Sequence, residues 1–245
     1  MNLGLNESGV LAKQILGKVK QNILKNADIL ICPPFISLSQ VCGIIKGSGI
    51  KLGAQNLHYE NDGAYTGEIS ATMLRSAGCE YVITGHSERR KYFNETNSVV
   101  NKKALQALNH DLKVIICVGE TLQEREDEIF ESIITEQVTM ALKDIPSEKM
   151  NDVVIAYEPV WAIGTGLNAS PKQVIEIHAL IRNTAEGIFS KDTAENMIIL
   201  YGGSVNKDNA KEILSAAGVD GALIGGASLK PDDFVFIAEQ AAAVK

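Results

Sequence analysis

A carboxylate at the end of an apolar run is the first residue placed to do chemistry. Val153-Val154-Ile155-Ala156 reads as a short buried strand that leads to Glu158, and Pro159 ends the ladder because proline offers it no N–H. The loop that follows has an apolar tip, Val160, Trp161, Ala162 and Ile163, and a Gly164-Thr165-Gly166 exit. A stiff tip between a proline and paired glycines reads as a lid, which moves as a unit and keeps water from a reacting group. Read instead as a core strand with an exposed turn, the segment leaves the glutamate and the tryptophan without a purpose.

Two further segments carry chemical signal. Gly85-His86-Ser87-Glu88-Arg89-Arg90 follows the apolar run 81–84, so His86 lies just past a strand where a helix begins. Helix N–H dipoles there disfavour a second proton on the ring, which favours a neutral hydrogen-bond donor. His58, His110 and His178 have no such placement and read as surface or structural residues. The second segment is a pair of glycine turns, Gly202-Gly203-Ser204 and Gly225-Gly226-Ala227-Ser228, each after an apolar strand and before a helical stretch. Glycine lets backbone N–H groups approach an anion, so Ser204, Gly225 and Gly226 are candidates to hold a phosphate. There is no G-x-x-x-x-G-K-[ST] loop, and the scattered His and Cys residues form no metal set, so neither nucleotide hydrolysis nor a metal is expected.

These residues need a scaffold that brings strand ends together. Apolar runs at 28–32, 51–55, 81–84, 113–118, 153–157, 197–201 and 221–225 alternate with stretches whose apolar residues recur every three or four positions, as in Leu11, Ile15, Val19 and Ile23. Strands that are apolar throughout imply a parallel sheet covered on both faces. Repeated βα units leave a doubly wound sheet or a (β/α)8 barrel, and both build active sites at the C-terminal ends of their strands. No linker divides residues 1–245, so a single domain is expected. The run count gives seven strands and eight helices, because the chain opens directly into the helical stretch around 10–24.

Composition narrows the partners. A net charge of −7 argues against nucleic acid or an anionic membrane surface. Cys32, Cys42, Cys79 and Cys117 show no C-x-x-C or metal spacing and read as reduced thiols. With no apolar run long enough for a bilayer and no basic start, a cytoplasmic location is expected.

Along nearly its whole length the chain resembles the triosephosphate isomerases. The resemblance is carried by the motifs at 53–56, 63–68, 85–90 and 117–120, then 156–166, 201–205 and 225–231, in that order. It implies an α/β TIM barrel that interconverts dihydroxyacetone phosphate and glyceraldehyde 3-phosphate through an enediolate, in glycolysis and gluconeogenesis, without a cofactor. It further implies that Glu158 is the base and His86 the electrophile. Gly164, Ser204, Gly225 and Gly226 would hold the phosphate, and the loop around Thr66 would join two subunits in a homodimer. Glu88 matches a family carboxylate near the site and reads equally well as an ion-pair partner.

One departure accompanies the match. The family's first strand and its Asn-x-Lys motif precede the point where Met1-Asn2 begins here. A misassigned start codon, a truncated product and a seven-stranded variant are the competing explanations, in that order. Losing an electrostatic partner such as that lysine costs about 10²–10³ in rate. Residues 1–245 as written are therefore expected to be poorly soluble and inactive. The alternatives are a non-catalytic or moonlighting remnant, or a barrel lyase acting on another sugar phosphate.

Overall fold

The computed structural model describes residues 1–163 and 167–244. The chain begins with helices α1 (Leu5–Lys18) and α2 (Gln21–Asn26), then β1 (Leu30–Ile31), α3 (Leu38–Ile45), β2 (Lys51–Ala54) and α4 (Ala71–Ser76). It continues through β3 (Tyr81–Thr84), α5 (Ser87–Phe93), α6 (Asn97–Asn109), β4 (Lys113–Val118), α7 (Leu122–Glu126) and α8 (Phe130–Leu142). The last third comprises β5 (Val153–Tyr157), α9 (Pro171–Ile188), α10 (Lys191–Asn196), β6 (Ile198–Tyr201), α11 (Ala210–Leu214), β7 (Gly221–Ala222) and α12 (Pro231–Val244).

The seven strands among the described residues lie in one sheet in sequence order, and every neighbouring pair is parallel. The strands at its centre are buried on both faces, as their unbroken apolar runs require. Ile83, Ile115, Cys117, Val154 and Ala156 form one cluster, on the inner face. The alternate residues Val114, Ile116, Val118, Ile155 and Tyr157 belong to the larger core shared with the helices. Glu158, two positions beyond Ala156, continues the inner row past the end of β5.

Seven strands are as expected, but the helices are more numerous than eight. Several connections carry a short second helix, and the first helical stretch divides at Val19-Lys20 into α1 and α2, where extended backbone interrupts the repeat. Ser170 caps α9 in a reciprocal capping box with Gln173, and Pro171 takes the first turn. At the sheet's two edges, β1 and β7 shrink to two residues each, against the five expected at 28–32 and 221–225. Each pairs on one side only, and among the described residues no strand joins them. The helical layer is continuous there, since α12 packs on both α1 and α2. The inner side chains Leu30, Cys32, Leu200 and Leu223 are only half-buried.

Candidate active site

His86 and Glu158 come from strands separated by β4, and the curl of the sheet brings their side chains together. Nε2 of His86 lies 3.0 Å from Oε1 of Glu158. The glutamate is buried, with 2% of its surface exposed, and its Oε2 accepts from the Ser87 backbone N–H at 3.0 Å. The Ser87 hydroxyl lies 3.4 Å from Oε1. Gly85 makes the turn that delivers His86: its φ of +69° is left-handed, and a Cβ there would come within 2.9 Å of Val100. Arg90 braces the turn from below, donating from Nε to Gly85 C=O at 2.9 Å and from Nη2 to Cys117 C=O at 3.2 Å.

His86 is the N-cap of α5, and its Nδ1 accepts from the Glu88 N–H at 3.3 Å. That contact leaves the ring's proton on Nε2, directed at Glu158. Burial disfavours the charged ring, but hydrogen bonding to Glu158 and the charges of Glu158 and Glu88 outweigh it, so the pKa of His86 is raised above the ordinary 6.5. The depression expected from the helix start is thus overcome while Glu158 is in contact. Burial also holds the Cys117 thiol, close beneath the same carboxylate, well above its ordinary range. Glu88 is exposed, and its carboxylate is 3.8 Å from Nδ1 of His86.

The described part of the segment read as a lid, Pro159 to Ile163, is tied to the end of β4. Trp161 donates from Nε1 to Oε1 of Glu120 at 2.8 Å, and the Tyr157 hydroxyl meets the same oxygen at 3.1 Å. Glu120 is fully buried; burial pushes its pKa up, and the bonds from Trp161 and Tyr157 together with the charge of Arg125 pull it back. Arg125 lies over the faces of both Phe130 and Trp161. The register Tyr201↔Ala222 and the bond from Leu223 N–H to Tyr201 C=O set the two glycine turns side by side. Gly225 and Gly226 are exposed and begin a short 3-10 turn, and Ser204 is half-buried, its carbonyl held by Asn209. Gly164 lies outside the described residues.

His58 stacks on Tyr59 and packs tilted against Tyr65, His110 bonds the carbonyl of Gln106, and His178 is buried beside Tyr157, so none of the three joins the site. Sequence reasoning gave no role to Ser87, Arg90, Glu120 or Gln137. The first three lie inside motifs whose types and spacing were informative. Gln137 lies on a helix with no such signal.

A family model described as "Triosephosphate isomerase" matches residues 1–241. The chain is 51% identical over 241 residues to the triosephosphate isomerase of Chloroherpeton thalassium, covering 98% of this chain and 95% of that protein. It is 49% identical over 232 residues to that of Caldanaerobacter subterraneus subsp. tengcongensis, covering 95% and 92%. The crystal structure of the triosephosphate isomerase from Bartonella henselae superposes with a TM-score of 0.88 at 40% identity, covering 98% of this chain and 95% of that one.

Proposed function

The chain belongs to the triosephosphate isomerase family, and from that premise we propose that Glu158 and His86 carry out its isomerisation. The reaction interconverts dihydroxyacetone phosphate and glyceraldehyde 3-phosphate. Glu158 takes a proton from the carbon next to the carbonyl, leaving an enediolate, and returns it to the neighbouring carbon. His86 donates a hydrogen bond from Nε2 to the oxygens that gain charge, a division of roles already established in this family. The observation that supports these roles is the 3.0 Å approach of His86 Nε2 to Glu158 Oε1 at the C-terminal ends of the strands. A substrate's carbonyl and acidic carbon entering between them would meet a donor and a base at once.

Gly164, Ser204, Gly225 and Gly226 are proposed to take the phosphate through backbone N–H groups. The segment 60–68 is exposed throughout, yet pinned at its base by the bond from His58 N–H to Ile69 C=O at 2.8 Å. Exposed Tyr65, Met73, Tyr92 and Phe93 lie on it or on α4 and α5. Those features support a homodimer joined through the loop around Thr66. Four free cysteines fit a cytoplasmic enzyme, and residues 1–245 are read as one domain. Among the described residues, no helix is long and apolar enough to cross a membrane. Neither the expected inactivity of residues 1–245 nor the remnant or lyase alternatives find support in the fold or the relatives.

Isomerisation in deuterium oxide tests the base. The product formed by the parental chain gains solvent deuterium at the carbon that receives the proton, and Glu158→Gln abolishes that exchange. Exchange at the parental rate in Glu158→Gln would remove Glu158 from the role.

A further inference from the structure

Gln137 stands on α8, a helix with no part in the chemistry described above, and its side chain is 9% exposed. Its amide grips the backbone of a single residue at two points. Oε1 accepts from the Gly119 N–H at 2.8 Å, and Nε2 donates to the Gly119 C=O at 3.0 Å. Only this orientation of the amide satisfies both backbone groups.

What Gly119 touches gives the grip its consequence. A Cβ at Gly119 would lie 1.7 Å from the Glu158 carbonyl oxygen, so the two backbones are already in close contact. The residues on either side hold the site directly. Val118 C=O accepts from the Glu158 N–H at 2.7 Å, and Glu120 C=O accepts from the Val160 N–H at 3.0 Å. The Glu120 carboxylate also anchors Trp161. Residues 118–120 therefore carry the backbone of the base and the root of the lid, and Gln137 anchors their midpoint to the helical layer.

We propose that Gln137 is a positioning residue, setting Glu158 and the first residues of the lid through Gly119. The proposal rests on the reading of Glu158 as the base. A base displaced by about 1 Å loses much of its alignment with the carbon-bound proton, for which about a hundredfold in rate is typical.

Gln137→Met keeps the side chain's length and deletes both contacts. The expected result is a kcat lowered about tenfold to a hundredfold, with KM nearly unchanged and a shifted emission from Trp161, the chain's single tryptophan. Assays run well below the variant's own melting midpoint, so that lost folding is not read as lost rate. Gln137→Glu supplies the discriminating readout. Protonated, the carboxyl reproduces both contacts; ionised, it keeps only the acceptor and sets a charge against the Gly119 C=O. Its kcat should therefore recover relative to Gln137→Met as pH falls. Parental kcat in folded Gln137→Met, or parallel pH profiles for the two variants, would overturn the proposal. Glu158→Gln measured alongside separates the premises. If it retains turnover, the base assignment falls and the proposal with it. If it is inactive while Gln137→Met is fully active, only the positioning role falls.

Discussion

The imidazole of His86 and the carboxylate of Glu158 meet directly, Nε2 to Oε1 at 3.0 Å, so the groups proposed as hydrogen-bond donor and base also bind each other. A substrate seated between them as proposed would part the pair, coupling the charge of His86 to occupancy of the site. Because contact with Glu158 raises the His86 pKa over the opposing effect of burial, Glu158→Gln should lower it. The imidazole titration followed by NMR should move to lower pH in Glu158→Gln, and equal midpoints in the two proteins would refute the coupling. The sign for stability follows from linkage. A pKa raised on folding stabilises fully below the unfolded value near 6.5, and that contribution is lost as pH rises through the folded value. The stability gap between the parental chain and His86→Gln should therefore shrink as pH rises above about 6.5.

The placement of the candidate site's His86 and Glu158 was legible because both sit where secondary structure changes type. Glu158 and His86 each follow an apolar strand, and Pro159 and Gly85 mark the turns that present them. The edges of the sheet were less legible. The runs at 28–32 and 221–225 are apolar enough for full strands, but among the described residues each has a hydrogen-bonding neighbour on one side only, and two residues of ladder remain in each. The support of the site was not legible at all. Gln137 contacts Gly119 through a fold-level approach of α8 to the end of β4, and periodicity carries no signal for a side chain that bonds another element's backbone.

The hydrogen bond from Trp161 to Glu120 should govern how the lid rests. Trp161→Phe keeps a ring for Arg125 to cover but removes the N–H that reaches the fully buried Glu120 carboxylate. Losing a donor to a buried charged acceptor costs about 1–3 kcal/mol. A lid loosened at its root shields the enediolate less, and the intermediate can then expel phosphate to give methylglyoxal. The methylglyoxal fraction should rise in Trp161→Phe, and rise further when residues 160–163 are shortened. Unchanged partitioning in both variants would reduce the segment to an ordinary loop.

His178 should make the fold sensitive to acid, independently of the active site. Its Nδ1 bonds the Gly218 carbonyl at 2.9 Å, the ring lies edge-on to Tyr157, and burial lowers its pKa to about 4. The unfolded chain takes up this proton near pH 6.5, before the folded one does, so stability falls as pH drops from about 6.5 towards 4. The loss is on the order of 3 kcal/mol by the lower end of that window. His178→Asn removes the titration and can still donate to Gly218. It should flatten that stretch of the denaturant-derived stability profile, whereas an unchanged slope would place the acid sensitivity elsewhere.

The sheet should not be uniformly stable. β4 and β5 share five register pairs, from Val114↔Val153 to Val118↔Tyr157, and lie beneath core side chains on both faces. β1 and β7 contribute two residues each and, among the described residues, have a ladder on one side only. The inner side chains of Leu30 in β1 and of Leu223 just past β7 are half-buried, so little apolar area resists a local opening there. Amides at 30–32 and 221–223 should therefore exchange with deuterium through low-energy local fluctuations. Those of β4 and β5 should wait for an opening close to global unfolding. Exchange mapped peptide by peptide should show protection falling outward from the centre of the sheet to both edges. Protection at the edges equal to that at the centre would mean that the space between β1 and β7 is bridged in solution.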